Sequence, residues 1–394
     1  MHALPFLHKF LFNTLPQIHF KRLEALFSVV ASLLNNGSLS LTALGKSMIG
    51  PALVKHKIKR VDRLLNNPHL YKERFYIYEK IAEKLFSSLK KVVILVDWSG
   101  CCSQKSWILQ ASVAAHGRSI PIYKEIHPSS KLGDEWVEKQ FLKQLSKIIS
   151  DSVHVTVVTD TGFKTPWFRS VRKLDWHFVG RLRGRVYTQL VQGEWQEPKA
   201  YYAKATSKAR CLGAGLIGKS VRSIKAFFHL YKGLAKSSKP LKKRKGYGAS
   251  SDLEKRHISS SQDPWFIVTS LSYTPQQVSS LYKKRRQIEQ NFRDDKSGRF
   301  GFGLRTSRTQ SIKKLEMLLL ISFIATMLLW LIGAAAEAKN LHWGFQANTK
   351  KRHRVLSLLN LAKLVLQHCT EKICSQDLLE ALSTIHQYQR PQEV

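Results

Sequence analysis

Three acidic residues stand out by their settings. Asp97 closes the run VVILVD, Asp160 closes VHVTVVTD, and Glu289 lies inside the charged stretch LYKKRRQIEQNFRDDKSG. A run such as VVILV is apolar on both faces, so it belongs in the middle of a sheet. The C-terminal edge of central strands is where open α/β sheets hold ligands. A carboxylate without a partner is costly there. A hard cation such as Mg²⁺ relieves that cost through oxygen ligands and keeps positions for water and phosphate. Read singly, each aspartate is more often the cap of a following turn or helix. Two of them at equivalent places in one sheet point to a shared metal site.

The third acid sits in a pattern. Tyr282, Arg285, Glu289 and Lys296 follow one another at intervals of three, four and seven. At about 100° per residue they fall within roughly 60° of one another on a helix. One stripe would then carry a phenol, a guanidinium, a carboxylate and an ammonium. Glu289 can complete a metal site with the aspartates, and Arg285 and Lys296 can hold flanking phosphates. Tyr282 can donate to a further phosphate. Arg285 and Glu289 also have the four-residue spacing of an ordinary surface ion pair.

The elements that must position these groups can be read from apolar periodicity. Residues 1–90 read as a helical region, with LEALFSVVASLL and FYIYEKIAEKLF at helical spacing. Between them, two short amphipathic pieces break near Gly50-Pro51, which suggests a helical DNA-binding element. Lys55, Lys57, Lys59, Arg60 and Arg63 would supply its phosphate contacts, although such a charge run also suits a solvated helix face. From Lys91 the texture changes to β-β-β-α-β-α-β, through WILQASVAA, SIPIYKEIH, a helix beginning near Asp134, VHVTVVTD, PWFRSVRKL and DWHFVG. Strands 1 and 4 of this series are read as ending in Asp97 and Asp160. Residues 181–262 read as a strand-containing insertion with a flexible basic loop over 233–262. PWFIVTSL is then a strand. One continuous helix follows, with Thr274 as N-cap, Pro275 at its first position and Gly298 past its end. Residues 91–340 thus form an α/β domain, and 341–394 a helical C-terminal region.

Composition narrows the partner. Lys and Arg number 64 against 27 Asp and Glu, a formal +37. A compact domain resists that self-repulsion unless a polyanion relieves it, and nucleic acid also gains by counterion release. A merely basic surface protein shares the charge. The five cysteines (Cys101, Cys102, Cys211, Cys369 and Cys374) are odd in number in a long chain, which argues for reduced thiols. Cys369 and Cys374 beside His368 are too few for a closed zinc site. The first twenty residues lack the uninterrupted apolar core and small-residue cleavage site of a signal peptide. Met317–Ala336 is twenty residues without a charge, which suits either a membrane span or a helix buried on all sides.

Taken together, Asp97, Asp160, Glu289 and the Y-x2-R-x3-E-x6-K stripe resemble the cut-and-paste insertion-sequence transposases of the DDE type that excise through DNA hairpins. KHKIKRVDRLLNN, LVDWS, ASVAAHGRS, GFKTPWFRSV, RQIEQNFRDDKS, GLRTSRT and FQANT carry the likeness almost end to end, and residues 186–262 carry it least. The resemblance implies a ribonuclease-H-like mixed sheet with flanking helices. It also implies two Mg²⁺ ions (for which Mn²⁺ substitutes) held by Asp97, Asp160 and Glu289. The reactions implied are strand nicking, attack of the freed 3′-OH on the opposite strand to form a hairpin, hairpin opening and strand transfer. The partner implied is double-stranded DNA, as element ends and target, bound by a homodimer in a bacterial cytoplasmic, nucleoid-associated complex without a membrane. Trp265 matches a tryptophan on which an unstacked base rests, with a core role as the other reading. Arg305 and Arg308 are assigned to the DNA backbone, or else to salt bridges with Asp294 or Asp295. His116 and Arg118 either approach the site or serve their turn. Residues 317–336 match a long apolar helix packed against the catalytic sheet. The rival functions are a ribonuclease-H-like nuclease that cuts without joining and an inactive DNA-binding relative.

Overall fold

The computed structural model of the chain describes residue 11 and residues 14–35, 37–87, 89–101, 105–232, 263–350 and 352–389. The basic loop expected over 233–262 and Cys102 lie outside the described residues. Helices α1 (Phe20–Leu34), α2 (Leu41–Ser47), α3 (Val54–Leu65) and α4 (Pro68–Phe86) come first. Side chains start three of them: His19 accepts from Lys21 N–H, Ser40 from Ala43 N–H and Asn67 from Leu70 N–H, closing otherwise orphaned donors. Helices α2 and α3 are joined by a short break containing Gly50-Pro51 and touch at Gly45. A Cβ there would lie 2.6 Å from the Ile58 backbone, so only glycine permits this approach.

Strands β1 (Lys91–Gly100), β2 (Ser106–Val113) and β3 (Ile120–Pro128) form an antiparallel meander. Helix α5 (Glu135–Ile148) follows, capped by Asp134, which accepts from Val137 N–H at 3.0 Å. Then come β4 (His154–Thr159), α6 (Thr165–Lys173), β5 (His177–Leu182), β6 (Thr188–Leu190), β7 (Arg210–Ile217), β8 (Ile224–Tyr231) and β9 (Trp265–Thr269). Helices α7 (Pro275–Lys283), α8 (Arg286–Lys296), α9 (Ile312–Ala338), α10 (Leu358–His368) and α11 (Ser375–Ser383) complete the order. The β-β-β-α-β-α-β series agrees with the sequence reading, and the insertion contains strands. Neighbouring described strands run β3-β2-β1-β4-β5-β9-β8-β7-β6, a mixed sheet with flanking helices. The neighbour of β4 is β1 rather than β3, so the chain crosses over through α5.

The chain divides into two compact units. The first takes the residues through Thr156 with those from Lys284 onward, and the second is Val157–Lys283. The first unit is built around α9. Twenty-one of its residues, Leu315 through Ala336 with one exception, are buried. It packs on β3 and on α1, α3, α4, α10 and α11. Burial of each Leu, Ile or Phe of this kind contributes about 1.5–3 kcal/mol. The helix is long and apolar enough to cross a membrane, yet its apolar window is 94% buried among the other elements. This places Met317–Ala336 as a core helix. Gly333 lets α10 approach, since a Cβ would lie 2.3 Å from the Leu358 carbonyl oxygen.

The second unit has its core on β5, β8 and β9, where Phe178, Phe228, Leu230, Phe266, Ile267 and Val268 are buried. Phe168 of α6 meets Phe178 with ring centroids 4.8 Å apart, and Phe228 meets Phe266 at 5.5 Å.

Candidate active site

In the first unit, β1 supplies Asp97. VVILV is buried throughout, as a strand central in a sheet requires, and Asp97 itself is only 8% exposed. The strand does not end there. It continues through Trp98 and Ser99 to Gly100, with Asp97 paired to Gln110 of β2. Aspartate is disfavoured in strands, but the ladder to β2 outweighs that preference. The extension has a consequence: Asp97 and Ser99, two apart, point to the same face. One Asp97 oxygen accepts from Trp98 N–H at 2.9 Å.

The expected single helix after β9 is two. Thr274 and Gln277 cap its start reciprocally, Gln277 N–H donating to the Thr274 hydroxyl and Thr274 N–H to the Gln277 side-chain oxygen. Helix α7 then stops at Lys283 and α8 starts at Arg286. The junction is tightened by three-residue bonds, Gln287 N–H to Lys284 carbonyl and Ile288 N–H to Arg285 carbonyl. No glycine or proline marks the break. It is set by what surrounds it: α7 packs on β5, β8 and β9, and α8 packs beside β1. Burial pushes the Lys284 ammonium down to about 8, and it donates to the Tyr388 carbonyl.

The stripe is therefore divided. Arg285, Glu289 and Lys296 share one face of α8, and Tyr282 belongs to α7. On α8 the three groups meet the face of β1. Arg285 lies 3.5 Å from an Asp97 oxygen and 2.6 Å from a Glu289 oxygen. Both the helix-surface pair and a link to the strand aspartate are thus made by one guanidinium. Lys296 is buried rather than solvated, and its ammonium donates to the Ser99 hydroxyl at 2.5 Å and lies 5.1 Å from the Phe292 ring centroid. Glu289, in the first turn of α8, keeps 46% of its side chain exposed.

In the second unit, Asp160 follows β4 directly, as expected, and accepts from Gly162 N–H at 2.7 Å in a tight turn. Trp265 opens β9 and is paired with Tyr231 of β8. Its ring is half-buried and meets Tyr282 edge-on at 4.9 Å. Tyr282 is 4% exposed. Trp265 and Tyr282 thus form one aromatic pair.

The remaining expected DNA contacts lie on the first unit. Lys59 and Arg60 on α3 are exposed, as are Lys55 and Arg63, and Lys57 is half-buried. Arg305 and Arg308 are exposed after α8. The alternative pairing of Arg305 or Arg308 with Asp294 or Asp295 is not formed: Asp294 pairs with Arg118 at 2.8 Å and Asp295 with Lys124 at 2.7 Å. His116 pairs with Glu337 at 3.3 Å. The turn holding His116 and Arg118 therefore braces neighbouring helices. Ser99, Lys124, Gln287 and Asn291 were not singled out by sequence. Lys124 and Asn291 are buried and Ser99 and Gln287 half-buried, which residue type alone does not disclose.

Among the described residues no three or more His, Cys, Asp or Glu side chains stand together as a ready metal cluster. What does converge is a pair of hard-oxygen carboxylates, Asp97 and Glu289, on one positive group. That donor chemistry fits Mg²⁺ or Mn²⁺.

A mixed sheet thus carries an aspartate on an interior strand, beside a helix bearing glutamate, arginine and lysine. Residues 88–328 match the family model described as the transposase DDE domain. That span is well over half of the chain, and the chain belongs to the DDE transposases, enzymes that act on DNA and whose catalytic domains are ribonuclease-H-like. No curated protein matches it.

Proposed function

We propose that the chain is a cut-and-paste transposase of the hairpin-forming group, similar to the transposase of the bacterial tetracycline-resistance transposon. Asp97, Asp160 and Glu289 are its catalytic acids. The observation that carries this reading is the meeting of Asp97 and Glu289 on Arg285. Both carboxylates face one cation, the Arg285 guanidinium, and a divalent ion could take up the same pair of negative charges. Divalent metal ions bound by the three acids would supply Lewis-acid charge and a nucleophilic water at the scissile phosphodiester.

The chain's own residues bind and orient the DNA. Arg285, once it exchanges carboxylate for phosphate, is suited to bidentate recognition of the phosphate beside the scissile one. Lys296, held by Ser99, keeps a second positive charge on the same helix face. Trp265, with Tyr282 at its edge, offers a face for the base unstacked when a duplex end folds back. Arg305, Arg308, Lys57, Lys59 and Arg60 hold the backbone farther along. Synapsis of two ends requires a second copy of the chain.

The test is incubation with the element's own ends, target DNA and Mg²⁺. Wild type is expected to nick, form hairpins and join strands. Asp97→Ala is expected to bind the ends and do none of these. Cleavage by Asp97→Ala at the wild-type rate would remove Asp97 from the chemistry. Cleavage without joining by wild type would make the chain a nuclease.

A further inference from the structure

The face of α8 opposite Glu289 is packed, yet it is polar. Gln287, Asn291, Asp294 and Asp295 lie roughly 140–240° around the helix from Glu289 at about 100° per residue. All four bond to the segment joining β2 to β3 or to β3 itself. Gln287 donates from Nε2 to the Ala115 carbonyl at 2.8 Å and accepts Ala115 N–H at 3.1 Å. Asn291 donates to the Ser119 carbonyl at 2.8 Å and accepts from the Ser119 hydroxyl. Asp294 accepts from Arg118 Nε at 2.8 Å. Asp295 accepts from Lys124 at 2.7 Å and from the Ser322 hydroxyl of α9. Asn291, Asp294, Asp295 and Lys124 are each under 5% exposed. The helix end is locked as well: Phe302 N–H donates to the Asp294 carbonyl at 2.7 Å.

Apolar contact is non-directional and lets a helix slide or roll. Hydrogen bonds weaken steeply when misaligned. A polar ladder is therefore a poor way to gain stability, since buried ion pairs return little net energy, but a good way to fix rotation and register. Metal ligands need that accuracy, because Mg²⁺ tolerates little departure from ligand distances of about 2.0–2.1 Å.

We infer that the β2–β3 turn, acting through Gln287, Asn291 and the Asp294–Arg118 and Asp295–Lys124 pairs, is a positioning device that aims Glu289. These are positioning residues, and the inference rests on Glu289 being an active-site acid. Asn291→Leu and Gln287→Met remove ladder bonds while keeping a side chain of similar shape. Each is expected to leave affinity for element-end DNA within about twofold. The single-turnover nicking rate at saturating DNA is expected to fall, and Mn²⁺ binding read by EPR on the DNA-bound protein to weaken, each by about tenfold or more, as for other groups that orient metal ligands. A purely structural role would lower the melting temperature and leave rate and Mn²⁺ affinity unchanged at temperatures where the variant is folded; that result would overturn the inference. If Asn291→Leu does not fold, Ser119→Ala, which removes only a hydroxyl, gives the same reading. Glu289→Gln separates the two ideas. Full activity in Glu289→Gln overturns the active-site reading and this inference with it. An inactive Glu289→Gln beside wild-type behaviour in the ladder variants overturns this inference alone.

Discussion

Arg285 faces two anions at once, 3.5 Å from Asp97 and 2.6 Å from Glu289. A guanidinium, with five donors in a fixed plane, can serve both; a lysine could not hold that geometry. At the same scale, Trp265 and Tyr282 make a measurable difference between reaction steps. Stacking of one base on an aromatic ring is worth about 1–3 kcal/mol, or about 5- to 150-fold in rate. Trp265→Ala is expected to slow hairpin formation by that factor and first-strand nicking by much less, read by timed sampling of nicked and hairpin products on denaturing gels. Equal slowing of both steps would return Trp265 to the core. The placing of Asp97 on a buried strand, of Asp160 directly after β4 and of Glu289 on a helix was legible because each follows or sits in an apolar run or a patterned helix. The environment of Lys296 was not. Its spacing puts it on the stripe, but only the reach of β1 to Ser99 explains why an ammonium is buried there.

At the scale of elements, α2 and α3 form a compact helix pair closed at Gly45, with Lys59 and Arg60 exposed on α3. If this pair holds duplex backbone, Lys57→Gln, Lys59→Gln and Arg60→Gln are expected to weaken binding to all sequences alike. Each is expected to reduce the slope of log affinity against log salt by about 1. Titrations of element-end and unrelated duplexes across salt concentrations measure this, and an unchanged slope in the triple variant would clear α3 of backbone contact. The strands through β5 were readable because their apolar runs are long and bounded by turns. The overrun of β1 past Asp97 and the break between α7 and α8 were not. KKRRQ contains no residue that ends a helix, so propensity continues it. The division arises because the two halves answer to different strands, information that no local window contains.

At the scale of the molecule, the first unit draws its core from both ends of the chain. Glu337, near the end of α9, shows how its parts are tied. Burial alone would raise its carboxyl pKa, but hydrogen bonds from His116 and Arg354 hold it down at about 2. A carboxylate whose folded pKa lies below its unfolded value, near 4.5, stabilises the fold above that value and loses the contribution as pH falls toward 2. Melting temperature is therefore expected to decline over that window. Glu337→Gln is expected to melt lower at pH 6 and to show a flatter decline; an equally steep decline would place the acid sensitivity elsewhere. Net charge and the apolar stretch were visible in the sequence; composition alone left a membrane span open, and the resemblance assigned the stretch to a helix packed on the sheet, where it is buried. The stretch also sets a schedule for biosynthesis. Its wrapping comes from α1, α3 and α4, made before it, and from α10 and α11, made after it. A ribosome that stalls before Leu358 leaves a sticky apolar rod half wrapped, so proteolysis or aggregation awaits the fragment and the unit can close only once the last helices emerge.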